Sequence, residues 1–506
     1  MPATEHADPH SPNLPIIPDT RRRMWPLGLG VAALALGSTA AWWYARAGLT
    51  LSHYDAKAHL VVARRIVDSL TPGWVQIGAV WLPLPHLVSM IPVQWDFFYR
   101  TGAFGVAVSV VSFAVSVWAI ARLVVGITGS RVAAAAGALV VALNPNVLYL
   151  QATPMTESML MALVLLSAWF AIEAFRSGEP AAIRRAGAAT AAAVLTRYEA
   201  WPFAAALLAI GMASALRQGS SSREALARTA RLAAYPAAAV AAFLVLSRAT
   251  VGEWFVTSGF FVAENAAHHR PLGALASVWW GLHELSSLPL AVLGAAGLTI
   301  LLVRAWRSPD LAPWLPALAL AGVAALPWYA FYSGHPFRIR YMIPLLPALA
   351  LGVGCAVGLA GRLKPLVAVL ALSAVALGPR PLDPGARMVV EAQLDRANQA
   401  GRAEVAAYLR AHWNGRTIMV SMGSLAHFMQ ELSRDGFSIR DFLHEGNGRL
   451  WRAALVTPAA HVEWVLTEEV AEGGDMLATR ARNHPGYLAE FARVAEGGGV
   501  ALYRRR

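Results

Sequence analysis

Apolar runs of roughly 20 residues recur from Trp25 to about Leu377, divided by short stretches that carry most of the arginines. Each run is long enough to cross about 30 Å of hydrocarbon as a helix. A large soluble core explains one or two such runs but not a long series. The pattern therefore predicts a polytopic α-helical membrane protein with about ten to twelve membrane helices. The first run, Trp25 to Ala47, follows Arg21, Arg22 and Arg23, as in a signal peptide. It is too long for one and no A-x-A cleavage site follows, so it reads as an uncleaved first span. Residues 1–23 are polar and proline-rich and read as a disordered cytoplasmic tail.

Placing that arginine cluster in the cytoplasm assigns a side to every later loop. The loops on that side hold Arg122 and Arg131; Arg176, Arg184 and Arg185; Arg217, Arg223, Arg228 and Arg231; Arg304 and Arg307; and Arg362 and Lys364. This agrees with the positive-inside rule, and the expected location is a bacterial-type inner (plasma) membrane. The run Ala186 to Ala215 must then return to its starting side. It is interrupted at Thr196-Arg197-Tyr198-Glu199 and reads as two half-length helices meeting at the break. Irregular backbone at that depth is tolerated only where protein buries it or it lines a wet cavity.

The opposite, extracytoplasmic side receives a long loop (48–101), a turn from Gln151 to Glu157, and two later segments, Val251 to about Ser287 and Gly334 to Arg340. Residues 24–380 read as the membrane unit and 381–506 as an extracytoplasmic domain. There the charge rises and short apolar runs alternate with amphipathic ones. Helices are predicted over Arg387–His412, Leu425–Ser433 and Met476–Asn483. Strands are predicted over Thr417–Ser421, Val462–Leu466 and Val500–Tyr503. This is the pattern of a small α/β domain.

Composition narrows the chemistry. Hydrophobic residues make up 57% of the chain and charged ones 14%, well below the roughly 25% of soluble domains. The net charge of +12 points to nucleic acid only when position is ignored, because the arginines mark topology. No nucleic-acid partner is expected. The single cysteine, Cys355, lies in an apolar run, which excludes an internal disulfide and a cysteine zinc site. Walker A, G-x-S-x-G, H-E-x-x-H and G-x-G-x-x-G motifs do not occur in a fitting context, which argues against an ATP-driven pump and a zincin.

The first long loop begins Ser52-His53-Tyr54-Asp55-Ala56-Lys57-Ala58-His59 and later reads Trp81-Leu82-Pro83-Leu84-Pro85-His86. Asp55 and His59 would share one helical face. Such a helix is expected to lie flat on the membrane, with Arg64 and Arg65 at the headgroups. Lys57, His59 and His86 are candidate substrate-binding residues of this loop. Thr153-Pro154-Met155-Thr156-Glu157 has two readings. It is either a plain helix start capped by Thr153 or the setting of a second carboxylate, Glu157, facing the same cavity as Asp55. Arg197 and Glu199 at the break are either a buried pair or a phosphate-binding arginine with its neighbour. Arg338, Arg340 and Tyr341 lie on the side where the topology rule disfavours arginine, so a phosphate or a lipid headgroup is their expected partner. Glu264, His268 and His269, with His53, His59 and His86 on the same side, are weak candidates for a divalent metal.

Together these features resemble the GT-C superfamily of membrane glycosyltransferases. The resemblance is to protein mannosyltransferases and to the lipid A aminoarabinose and RgtA/B/C/D-like transferases. It rests on Tyr54-Asp55 after the first span, on Glu157 after the third, on Leu195-Thr196-Arg197-Tyr198-Glu199 at the break, and on Arg340-Tyr341-Met342-Ile343-Pro344. It implies a sugar donor on a polyprenyl phosphate and an acceptor hydroxyl on a glycan, lipid or protein. Asp55 would be the general base of an inverting transfer. Arg197, Arg338 or Arg340 would stabilise the leaving phosphate, and Glu157 would position sugar or acceptor. Many members carry Asp-Glu where this chain has Asp55-Ala56, which weakens a metal role for the loop. Two other readings stay open. A transporter or flippase would show inverted repeats and midplane charges. A non-catalytic envelope-polymer assembly protein would have no need of Asp55.

Overall fold

The computed structural model describes residues 20–77, 80–254, 265–308, 315–471 and 474–506. The predicted tail through residue 19 and the candidate Glu264 lie outside them. Helix α1 (Thr20–Arg46) leads into the long loop, which folds into three short helices, α2 (Tyr54–Arg64), α3 (Leu84–Ser89) and α4 (Asp96–Thr101). After α5 (Ala103–Thr128) and α6 (Arg131–Ala142), Asn144 turns the chain into α7 (Pro145–Leu150). Its Oδ1 accepts from the amides of Asn146 and Val147, an N-cap with proline at the first helical position. Next come α8 (Glu157–Ser177), α9 (Pro180–Val194), α10 (Ala200–Arg217) and α11 (Ser222–Thr250). The membrane part ends with α12 (Pro271–Ser286), α13 (Leu288–Arg307), α14 (Leu315–Ala321), α15 (Ala325–Tyr332), α16 (Leu346–Leu359) and α17 (Lys364–Ala376).

Among the described residues, seven helices are long and apolar enough to cross a membrane. They are α1, α5, α8, α10, α11, α13 and the segment Ile339–Leu359, which includes α16. Several other apolar runs fold into shorter helices, such as α6 and the pair α14 and α15. The chain is a multi-span membrane protein, and its arginine-marked break falls where the sequence puts it, between α9 and α10. Here α9 has 15 residues and α10 has 18. Close packing at the centre depends on glycine. A Cβ on Gly297 of α13 would collide with the Gly352 carbonyl of α16, and one on Gly352 with the Gly294 carbonyl.

The C-terminal domain holds α18 (Arg387–Glu391), α19 (Gln399–His412), α20 (Met422–Leu432), α21 (Arg449–Val456) and α22 (Met476–Asn483). Its sheet has β1 (Ile418–Val420), β2 (Phe442–Leu443), β3 (Trp464–Glu468), β4 (Phe491–Gly497) and β5 (Val500–Arg505), in the order β2-β1-β3-β5-β4. β1 runs parallel to β2 and β3, and β5 is antiparallel to β3 and β4. Strand alternation sends Ile418, Val420, Trp464 and Leu466 to the face covered by α19 and α20. Met419, Leu443 and Val465 go to the face that packs with Trp451 of α21 and Leu477 of α22. The predicted helix Arg387–His412 is interrupted between α18 and α19. The two-residue β2, α21 and β4 were not anticipated.

Two local expectations are corrected. First, α2 does not present a face to lipid, because Asp55 through Ala63 are all buried. α20 of the C-terminal domain packs along it, and α3 and α4 of the same loop cover it further. Arg64 and Arg65 therefore serve protein rather than headgroups. Arg64 pairs with Asp68 and Asp96, and buried Arg65 donates from Nε to the Gln76 carbonyl at 2.7 Å. Second, Thr153 is not a helix cap. Its hydroxyl donates to the Leu150 carbonyl, and α8 starts at Glu157 after Thr156. Thr156 makes no cap bond either; its hydroxyl accepts from Arg197.

Candidate functional site

The site is built where α2, the start of α8, the α9–α10 break and the entry to α16 meet. His53 precedes α2 and caps it, with Nδ1 accepting from the Asp55 amide at 3.1 Å. An accepting Nδ1 puts the ring proton on Nε2, which faces Glu391 Oε1 at 3.4 Å. The cap aims Asp55, whose side chain is 7% exposed, at Arg340, and the two form an ion pair. Arg340 reaches that point because the chain enters α16 through a 3₁₀ turn, Ile339–Leu345. Pro344 and Pro347 lack the amide donors that would extend α16 backwards. Burial alone would raise the Asp55 carboxyl. The Arg340 guanidinium, through its charge and its hydrogen bond, pulls the other way, and the carboxyl lies at about 2.

One turn along α2, His59 Nδ1 meets His86 Nε2 of α3 at 3.0 Å, and Trp81 lies over the His59 ring at 4.1 Å. Both imidazoles are buried. Burial pushes His59 down to about 3 and His86 well below its ordinary value, so both are neutral. The Leu84 amide donates to the Leu195 carbonyl, which ties α3 to the α9–α10 break.

At the break, Arg197 is gripped from two sides. Nη2 and Nε donate to Glu199 at 2.7 and 3.1 Å, and Nη1 donates to Glu157 Oε1 at 2.8 Å and to Thr156 Oγ1 at 3.1 Å. Glu157 is fully buried, and among the described residues its Oε2 has no hydrogen-bond partner. A cavity of about 30 Å³ is lined by His59, His86, Ser109 and Thr156. The two ion-pair clusters are neighbours. The charges of Arg197 and Arg340 both act on His59, and Glu157 acts on Arg340. The Tyr341 hydroxyl faces His335 Nε2 at 3.4 Å. Arg338 is half-buried and close enough to Tyr54 and Glu391 to act on both. Near this segment, an open cleft of about 640 Å³ is lined by Asn265, Trp280, Pro336 and Phe337, a mainly apolar wall.

The structure thus gathers Asp55, His59, His86, Glu157, Arg197, Glu199, Arg340 and Tyr341. Lys57 lies apart from this cluster. It lies two residues beyond Asp55, about 200° around the helix, so its amine points away from this cluster and onto Glu431 of α20. His268 and His269 stack on each other with ring centres 3.8 Å apart. Among the described residues, no group of three or more His, Cys, Asp or Glu could hold a metal ion. Three partners escaped the sequence reading: Glu391 on His53, Glu431 on Lys57, and Thr156 on Arg197. Only Thr156 had a local signal, through its place beside Glu157.

No family model and no curated protein matches the sequence. Solved structures do. Over 95% of this chain and 98% of the other, the fold is similar to ArnT from Cupriavidus metallidurans bound to undecaprenyl phosphate, with a TM-score of 0.57 at 13% identity. The apo form of that protein gives a TM-score of 0.59 at 13% identity over 96% of this chain and 98% of the other.

Proposed function

Taking the chain as a multi-span membrane protein with the GT-C fold, we propose that it is an inverting glycosyltransferase that uses a polyprenyl-phosphate-linked sugar. The observation that carries this reading is the ion pair of a carboxylate, Asp55, with Arg340, near enough to Arg197 for the two largely covered arginines to act on each other. Support for the lipid comes from the undecaprenyl phosphate bound by the similarly folded ArnT. The site and the C-terminal domain face the extracytoplasmic side of an inner membrane, and the N-terminus is cytoplasmic.

Asp55 takes the proton of an acceptor hydroxyl, whose oxygen bonds to the anomeric carbon from the face opposite the phosphate. The anomeric C–O bond breaks with its electron pair on the phosphate oxygen, so configuration inverts. The proton on Asp55 then passes to water. Arg340 and Arg197 stabilise the charge that grows on the leaving phosphate. A carboxyl held at about 2 is a weak base. An incoming phosphate competes with Asp55 for the Arg340 guanidinium, and Asp55 becomes more basic when donor is bound. Glu157, with one free carboxylate oxygen, positions a sugar or acceptor hydroxyl, and Glu199 keeps Arg197 in place.

The test is undecaprenyl phosphate binding to the purified protein, followed by native mass spectrometry. Arg340→Ala and Arg197→Ala are expected to weaken binding about tenfold or more. Affinity unchanged in both variants rules out the phosphate assignment.

A further inference from the structure

Helix α2 carries two ion pairs of opposite polarity on opposite sides. Asp55 meets Arg340 of the membrane part, and Lys57 meets Glu431 of the C-terminal domain at 2.5 Å. Their spacing puts the two side chains about 200° apart around the axis, so rotation of the helix breaks both pairs together. Glu431 is itself held. Arg402 donates to it from Nε at 3.0 Å and from Nη2 at 3.1 Å. The Arg402 side chain is fully buried and also donates to both oxygens of Asp395, at 2.8 and 2.6 Å. His427 completes the cluster, with Nε2 4.0 Å from Asp395. The chain of charges therefore runs from the domain core through Glu431 to Lys57, and ends two residues from Asp55.

The flanks of α2 are fastened to the same domain. The Ser52 hydroxyl donates to the Ala392 carbonyl at 2.8 Å, ahead of the helix. Beyond it, Asp68 accepts from the Ile439 amide at 3.2 Å and from Arg440 Nε at 2.9 Å. These contacts fix the ends of the segment. They do not set the angle of the helix about its own axis, which depends on the side chains along it.

We infer that Glu431 is a positioning residue: through Lys57 it sets the rotation of α2 and thereby holds Asp55 against Arg340, which makes the C-terminal domain part of the frame of the site. The inference rests on the proposed transfer reaction for what Asp55 does, and on geometry alone for where Asp55 sits. Without Glu431, Lys57 is a buried cation beside Arg402 that has lost its counter-charge; without Lys57, Glu431 keeps Arg402 but no longer reaches α2, so either change releases the helix.

The experiment uses the full-length protein in lipid nanodiscs, with amide hydrogen exchange and carbodiimide labelling of carboxylates read by mass spectrometry. Glu431→Gln and Lys57→Gln are each expected to raise exchange over residues 54–64 about tenfold and to increase labelling of Asp55. β1, β3 and β5 keep their protection, and Lys57→Arg restores native behaviour. Lys57→Gln leaves Arg402, Glu431 and Asp395 intact and carries the test if Glu431→Gln does not fold. Unchanged exchange of residues 54–64 in the folded variants overturns the inference. So does an equal rise in the strands, which means only general loosening. Neither readout involves sugar transfer, so a failure here is distinct from a failure of the transferase reading.

Discussion

Asp55 at the start of α2 and Arg340 at the entry to α16 form an ion pair with side chains only 7% and 11% exposed. Little water reaches either charge, so removing one leaves the other poorly compensated. Arg340→Met is expected to destabilise the protein by about 3–5 kcal/mol, and the double variant Asp55→Asn/Arg340→Met to recover most of that loss. Thermal unfolding in detergent measures both. Additive losses in the double variant contradict a direct pair.

The titrating groups beside that pair set the response to acid. Asp55 has a folded value of about 2 against an ordinary 3.8, so its ion pair contributes stability above pH 3.8 that is lost as pH falls through about 2. His59 is held neutral, at about 3 against 6.5. Below pH 6.5 the unfolded chain takes up the His59 proton and the folded chain does not, so stability falls with pH from 6.5 towards 3. His86 adds to the same slope, since burial pushes it well below its ordinary value. The melting temperature is therefore expected to drop between pH 6.5 and about 4, and His59→Gln/His86→Gln to flatten that slope.

Arg197 uses three nitrogens on Thr156, Glu157 and Glu199. Lysine supplies one nitrogen and cannot span these partners. Arg197→Lys is expected to cost about 1–3 kcal/mol in stability, and Glu199→Gln less, because Arg197 keeps Glu157. Chemical denaturation of the three proteins under one condition gives the order.

At the α13–α16 crossing, backbone touches backbone at Gly297 and Gly352. Gly297→Val should lower the melting temperature and the yield of monodisperse protein, with a loss of about 1–3 kcal/mol or more from overpacking. Gly126, with nothing within 4 Å of its Cβ position, should accept alanine with little change, which serves as the control.

What the sequence made legible follows from the range of each interaction. Membrane helices are announced locally, by apolar runs and the arginines between them. The α9–α10 break is equally local, since Arg197 and Glu199 have no place in a lipid-facing run. Asp55, Glu157 and Arg340 stood out because each interrupts or borders such a run. Helix α2 was misread because its charges, Lys57, Arg64 and Arg65, mimic an interfacial face. Their partners are remote: Lys57 and Glu431 are 374 residues apart. Nothing near either residue announces the other. The two-residue β2 is too short to register as a pattern, and its place in the sheet comes from pairing with β1.

The most direct test of the transferase account is mass spectrometry of polyprenyl-phosphate sugars and envelope glycans in cells with the native protein, with Asp55→Asn, and without the protein. The account predicts that one lipid-linked sugar accumulates and one glycan loses that sugar when the protein is absent. Asp55→Asn should give the same profile, while still inserting in the membrane. A profile for Asp55→Asn identical to that of the native protein contradicts the account.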